Sequence, residues 1–515
     1  MVRVGVLVYL VAARSAFAAA SPSRSPCLDQ PAEQVLYDRL FQTNLRGPRW
    51  TGNENQNTLT DLVAASMEIA GLTVETLNYT LYRWDPRWWS LSLKLTNGTT
   101  LGLPTTGYWP YSGDSGLQGV TAAMYDGGSY GLFTNETANL GTLNFTGLPG
   151  PSSPSVFFFD NPSPTHNYSQ PGYGLVGTSV PAEDIPELGN LTNPHWQSAK
   201  GLNFTAIQAL GVSAIVASWV NTSDADASMQ FLPEQGAGNG SLFDVPALYV
   251  GNSTGETIRE LLATGQVVTA TVVLDAPSIW SPSNTVIGHL DGQSGTNDTI
   301  IIYTHSDGPS IIEENGPILL LAIAEYFSAH PLNISLDFVI TTGHMSGHNL
   351  NESAWMGDRP DILANGKAAI VCEHFGALEW KDNFTTGEPV YEATGKYEPM
   401  WTMVNSSSAS DMLHELYIDA FEGTPETLRM AMVSPQAVDI DNVTSTSMWY
   451  GVGGSSTLGY SNIPTVGIIP QPDYLWASLS DGGWSKLDVD MAITQINVIL
   501  RLVTALDEKY IAGEL

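Results

Sequence analysis

Between Ile300 and Trp380 one pattern recurs: an apolar run stops directly on a cluster of polar residues. Ile300-Ile301-Ile302-Tyr303 ends on Thr304-His305-Ser306-Asp307-Gly308. Leu336–Thr341 runs into Thr342-Gly343-His344-Met345-Ser346-Gly347-His348, and Ala368–Cys372 into Glu373-His374-Phe375-Gly376. Between the first two stands Glu313-Glu314-Asn315-Gly316, followed by a helical pattern at Ile318, Leu319, Leu321, Ala322, Ala324 and Phe327. Continuous β-branched runs suit strands buried on both faces. An α/β sheet delivers its chemistry at the carboxyl ends of such strands. The reading is therefore an α/β fold: a mixed, mostly parallel sheet with helices on both faces.

Around this stretch the chain divides. Leu36, Leu40 and Phe41, then Leu62, Val63 and Met67, recur at helical spacing, and Gly71 closes a helix before the alternating run Leu72–Leu77. Trp84-Asp85-Pro86-Arg87-Trp88-Trp89 is dense in aromatics and reads as packing under a loop or as a pocket wall. Residues 101–150 are rich in Gly, Thr, Ser and Pro and lack long apolar periods. Strands are expected at Val156–Phe159, Val212–Val216, Val245–Val250 and Val267–Leu274, and a helix at Thr257–Leu262. At 515 residues two or more domains are expected.

The composition narrows the setting. Nineteen basic against 52 acidic residues leave a net charge of −33, which repels nucleic acid and anionic membranes. Residues 1–18 carry an early Arg, a short apolar run and Ala16-Phe17-Ala18, the pattern of a secretory signal peptide. Sequons stand at Asn78, Asn97, Asn135, Asn144, Asn167, Asn190, Asn203, Asn221, Asn239, Asn252, Asn297, Asn333, Asn351, Asn383, Asn405 and Asn442. Together these imply a secreted glycoprotein in the extracellular or secretory/vacuolar lumen. The two cysteines, Cys27 and Cys372, either pair or stay free. Cys372 lies inside an apolar run, against a role as nucleophile.

The order of motifs carries a resemblance. Asn284-x-Val286-Ile287-Gly288, an apolar strand, His305-x-Asp307, Asn315-Gly316 before a helix, a strand with a Gly-rich turn, a strand ending in an acid, and finally Ile463-Pro464 resembles the secreted co-catalytic zinc aminopeptidases. That group includes aminopeptidase Y, the bacterial leucyl aminopeptidases and the glutamate carboxypeptidases; glutaminyl cyclases share its fold. The stretch 150–279 resembles the protease-associated domain, a β-rich insertion. The resemblance implies a discontinuous peptidase-like domain over 30–149 and 280–515 around that insertion. It implies a metal-dependent hydrolase of peptide or other amide bonds, in which a Lewis acid activates water and a side chain relays the proton.

By the same resemblance, His305 is the first metal ligand and Asp307 the acid that orients its imidazole. Glu314 falls at the bridging carboxylate and Glu373, with His374 beside it, at the next acid. The family's adjacent glutamates are absent: Thr341-Thr342-Gly343 stands there, with His344 and His348 available for proton transfer or without a role. The family's last His is also absent, because Ser455 or a neighbour occupies its place. Zinc, as one ion rather than two, or no metal at all, follows. So do two functional readings. One is the hydrolase; the other is a non-catalytic binding glycoprotein or a chemically repurposed relative.

Overall fold

The computed structural model of the chain describes residues 25–130, 142–162, 165–167, 174–178, 190–192, 202–228, 242–346, 350–385, 387–404, 408–434, 463–470 and 472–515. The leader expected at 1–18, His348, and the sequons at Asn135, Asn239, Asn405 and Asn442 lie outside these residues.

The apolar runs around His305 form the middle of a nine-stranded sheet. Ser335–Thr341, Thr299–His305, Gly366–Cys372 and Thr465–Ile469 lie side by side and parallel. Nearly every residue in them is buried, as their continuous apolar character demands. Antiparallel pairs flank this centre. On one side Ser278–Leu290 pairs with Ser335–Thr341 and with the long edge strand Thr73–Trp84. On the other, Met400–Val404 runs antiparallel to Thr465–Ile469 and parallel to Met430–Ser434, whose outer neighbour is Gly174–Thr178.

Alternation along the strands divides the two faces. Ile300, Ile302, Leu336, Phe338, Ile340, Ala368, Ile370, Val466 and Ile468 point into one core. Against it pack the helices Gln30–Asn44, Glu54–Ile69, Gly316–Ala329 and Val489–Ile511. Side-chain caps start three of these helices: Asp29, Asn53 and Asp488 each accept from a backbone N–H three residues on. Gly316–Ala329 is apolar almost all round, as befits a helix wedged between the sheet and its neighbours. Truncating a core residue such as Ile302, which is fully buried, costs about 2–5 kcal/mol. The opposite face is covered more thinly, by Ala354–Asp358 and Pro360–Asn365, with Trp355 packed 6.2 Å from Tyr303.

A second, eight-stranded sheet runs in the order Thr100–Leu103, Trp88–Leu95, Val267–Asp275, Gly116–Ser129, Ser155–Pro162, Val212–Val220, Ala247–Val250 and Gly107–Tyr108. The strands expected from Val156 to Leu274 are all present. The boundary differs from the expected 150, however, because this sheet recruits strands from Trp88 onward. It also differs within 150–279, because Gly174–Thr178 adds to the edge of the first sheet. The physical reason is long-range pairing. Gly116–Ser129 is half exposed and Gly-rich, so its composition reads as loop, and only its register with Val267–Asp275 and Ser155–Pro162 makes it a strand.

Candidate metal centre

Three of the four central parallel strands end on, or lead directly into, a residue of the cluster. Thr299–His305 finishes on His305 itself. Ser335–Thr341 leads into the loop that carries His344, and Gly366–Cys372 leads into Glu373 and His374. The turn before the Gly316–Ala329 helix contributes Glu313. The five side chains converge. His305 Nε2 lies 3.7 Å from Glu373 and 4.0 Å from Glu313. His374 Nε2 lies 3.1 Å from Glu313 and 3.8 Å from Glu373, and His344 Nε2 lies 3.4 Å from Glu313. The His305 and His344 rings stack at 4.0 Å.

Each imidazole is held from behind through Nδ1. His305 donates to the Asp307 carbonyl at 3.0 Å, and His374 to the Pro470 carbonyl at 2.7 Å. A carbonyl only accepts, so the proton sits on Nδ1 and the Nε2 lone pair faces the cluster. His344 Nδ1 meets the Glu352 carboxylate at 2.8 Å. This is how metal-binding histidines are fixed. His374 reaches its position with a left-handed backbone, φ 61°, which costs about 1–3 kcal/mol for a residue with a side chain.

The donor set fits a cation. His305, Glu313, Glu373 and His374 are essentially inaccessible, yet His305 Nε2, His374 Nε2, Glu313 Oε2 and Glu373 Oε1 have no aligned hydrogen-bond partner. Each such buried polar atom costs about 1–3 kcal/mol unless something satisfies it. Imidazole nitrogen and carboxylate oxygen in this number suit zinc. The electrostatics agree. Burial alone would raise the Glu313 carboxyl, but His374, His344 and His305 hold it below the usual carboxylate range. Glu373 is likewise lowered against its burial by His305, His374 and His344. Burial opposes the charged form of His374, but Glu313 and Glu373 push it up. His344 is raised against its burial, first by Glu352 and then by Glu313.

The expected ligands are partly redistributed. The structure brings the expected residues His305, His344, Glu373 and His374 together in one cluster. Glu314 is not among them. It turns away to pair with Arg49, both fully buried, while Glu313 faces the cluster. Adjacent residues in a helical turn diverge by about 100°, so only one of the two can face the cluster. Gly308 makes room for this turn, since a Cβ there would strike both glutamate side chains. Asp307 also acts differently from the expectation. Its carbonyl, not its carboxylate, orients His305. The carboxylate accepts from the Thr51 hydroxyl at 2.5 Å and from Met345 N–H at 2.9 Å, tying the His344 loop to the N-terminal segment.

That segment is the part of the site sequence reasoning missed. Arg49 forms a two-residue bridge with Gly308 and donates to the Thr43 and Gly47 carbonyls. Gln56 donates to Ser306 and Thr342 and accepts from Gly52 N–H and Ser283. Trp476 donates its indole N–H to Glu313 at 3.2 Å, and Glu352 holds His344. No spacing in the chain announces these contacts. Cys27 is exposed and Cys372 buried, and they do not pair. Burial and the neighbouring Glu373 push the Cys372 thiol up, consistent with an inert side chain.

A scan against protein-family profiles finds no match, and neither does a search of characterised proteins. Solved structures do match. The zinc aminopeptidase BSAP from Bacillus subtilis superposes with TM-score 0.60 and 14% identity, over 92% of this chain and 95% of that one. A peptidase M28 precursor from Shewanella amazonensis gives TM-score 0.61 and 14% identity over 93% and 94%. An aminopeptidase from Aneurinibacillus sp. strain AM-1 gives 0.52 and 16% over 92% and 93%. At these identities the likeness speaks for architecture alone: the chain has the mixed α/β fold of the M28-type zinc aminopeptidases over nearly its whole length.

Proposed function

We propose that the protein is a metal-dependent hydrolase of peptide or other amide bonds. The observation that carries this reading is the convergence of three Nδ1-anchored imidazoles on two buried carboxylates at the ends of parallel strands. His305, Glu313, Glu373 and His374 would hold one zinc ion. Zinc in that position supplies Lewis acidity, acidifying water and polarising a carbonyl. His344 is the partly open member of the cluster, 18% exposed, and Glu352 behind it stabilises its protonated form. His344 is therefore the group that takes and returns a proton, in the role the missing glutamate leaves vacant. Glu352 fixes its tautomer and ring orientation.

The setting belongs to the same proposal. A secreted glycoprotein agrees with where the sequons lie. Asn78, Asn97, Asn144, Asn203, Asn221, Asn297 and Asn351 are exposed, and Asn252, Asn333 and Asn383 are half-buried. The β-rich second sheet is read as the protease-associated type of insertion.

Metal analysis of the purified protein tests the reading. At least about 0.8 equivalents of zinc are expected at structural-grade affinity, falling below a tenth of that in His374→Ala. Metal-free protein that still hydrolyses aminoacyl anilides would refute it. The second reading, a binding or repurposed relative, is favoured by His344 standing where a carboxylate is expected. Stoichiometric metal with no turnover of any anilide would support it.

A further inference from the structure

Glu313 is held differently from the imidazoles around it. Each imidazole has an anchor behind its ring, at Nδ1. Glu313 is buried, and among the described residues one hydrogen bond reaches its carboxylate from outside the imidazoles. It comes from the Trp476 indole N–H, 3.2 Å from Oε1. Oε1 also faces His344 at 3.4 Å, which leaves Oε2 toward His374 at 3.1 Å. An indole N–H only donates and does not titrate, so its side of this contact does not change with pH. With their Nε2 lone pairs given to a cation, His305 and His374 donate nothing to Glu313, and the indole still does.

The indole is itself fixed from two directions. Trp476 stands in the connection that leaves Thr465–Ile469, and the first residue of that connection, Pro470, carries the carbonyl that holds His374. One connection thus braces two of the proposed ligands. Its middle is pinned by the buried Tyr474, whose hydroxyl donates to the Leu378 carbonyl at 2.7 Å. Turns close around it, from Leu475 N–H to the Pro472 carbonyl at 3.0 Å and from Ala477 N–H to the Tyr474 carbonyl at 2.9 Å. The Trp476 ring packs against both apolar clusters of the second sheet. One contains Phe158, Val216 and Leu248, the other Phe157, Ile215 and Tyr249, alternate residues that point to opposite faces. Packing of this kind locks the ring, so its N–H can hold a carboxylate in one place.

We infer that Trp476 is a positioning residue: seated on the second sheet, it fixes the Glu313 carboxylate and so makes that sheet part of the site. The inference rests on the hydrolase reading for what Glu313 holds, but not for the contact itself.

Two measurements on the full-length protein keep these apart. The first is zinc affinity of the folded protein, by competition with a chelating dye, beside urea unfolding of the metal-free form. Trp476→Phe keeps a ring on the second sheet and removes the N–H; zinc should bind about 10–100-fold more weakly, the usual effect of losing a residue that orients a ligand. Tyr474→Phe loosens the same connection away from the cluster and should change zinc affinity less than about threefold. The second needs no metal. With isotope-labelled tryptophan, the indole resonance missing from Trp476→Phe should move upfield in Glu313→Ala, because a charged acceptor is lost. A lowered urea midpoint in Trp476→Phe with unchanged zinc affinity makes the residue merely structural and overturns the inference, leaving the hydrolase reading standing. Equal loss of zinc in Trp476→Phe and Tyr474→Phe overturns it as well. If the unaltered protein binds no zinc, the hydrolase reading falls and the resonance decides alone: a shift in Glu313→Ala sustains the inference, and an unmoved resonance overturns it.

Discussion

The assignment of two adjacent glutamates to different tasks yields a sharp test. Glu314→Gln and Glu313→Gln remove the same charge one residue apart. Glu314 is the partner of Arg49, which is 1% exposed and whose guanidinium burial pushes down to about 9. Removing one member of a buried ion pair strands the other, at a cost of about 3–5 kcal/mol. Arg49 keeps its donations to the Thr43 and Gly47 carbonyls at 2.9 and 2.6 Å. The lower end, about 3 kcal/mol, is therefore expected for Glu314→Gln. Glu313 has no cationic Arg or Lys among its described partners; it faces imidazoles that can release their protons. Its loss should cost under about 1 kcal/mol without metal, close to a single hydrogen bond, here that from Trp476. Urea unfolding in the presence of chelator measures both, because bound metal would otherwise add its own stabilisation to the native state. Metal content without chelator should reverse the order: lost in Glu313→Gln and retained in Glu314→Gln. The pair Arg49→Met with Glu314→Leu should recover at least about 2 kcal/mol relative to the sum of the single changes. Equal destabilisation by the two glutamine variants, or loss of metal only in Glu314→Gln, would refute this division.

Three further outcomes are expected. Tyr111→Phe removes the hydroxyl that holds the Met345 carbonyl and should lower kcat up to about tenfold while changing stability by only about 1 kcal/mol, read from anilide kinetics beside urea unfolding. The His289 imidazole is raised by its hydrogen bond to Asp337, 2.8 Å away on the paired strand. A histidine raised on folding contributes stability that is fully present below its unfolded pKa and disappears as pH rises through the folded value. His289→Gln should thus cost most near pH 5 and nothing near pH 9. The effect should stay under about 1 kcal/mol because the ring is partly in water, and a cost that grows with pH would contradict it. Expressed from residue 1 in a eukaryotic secretory host, the protein should carry glycans on exposed sequons such as Asn78, Asn97 and Asn297. Peptide mapping that finds these sites bare in secreted material would remove the glycoprotein assignment.

How much of this was legible depends on the range of the interactions involved. The parallel core was readable because a strand buried on both faces must be continuously apolar, and Ile300–Tyr303, Leu336–Ile340 and Ala368–Cys372 are. Polar clusters at their carboxyl ends placed His305, Glu373 and His374 by the same logic. The start of the second sheet at Trp88 was hidden because its half-exposed strands have no composition of their own until they are paired. Glu313 and Glu314 were indistinguishable as letters, since which one faces the cluster depends on how the turn before Gly316 rotates and on where Arg49 lies. Arg49, Gln56 and Tyr111 came from segments far along the chain, brought in by the edge-strand register and by the meeting of two sheets. The sequence alone thus determined the α/β core and the polar clusters at its strand ends, because burial and periodicity are local constraints. The tertiary structure alone decided which glutamate faces the cluster, what holds each imidazole and which member of the cluster is partly open, because those depend on side-chain directions and contacts between segments that no spacing encodes.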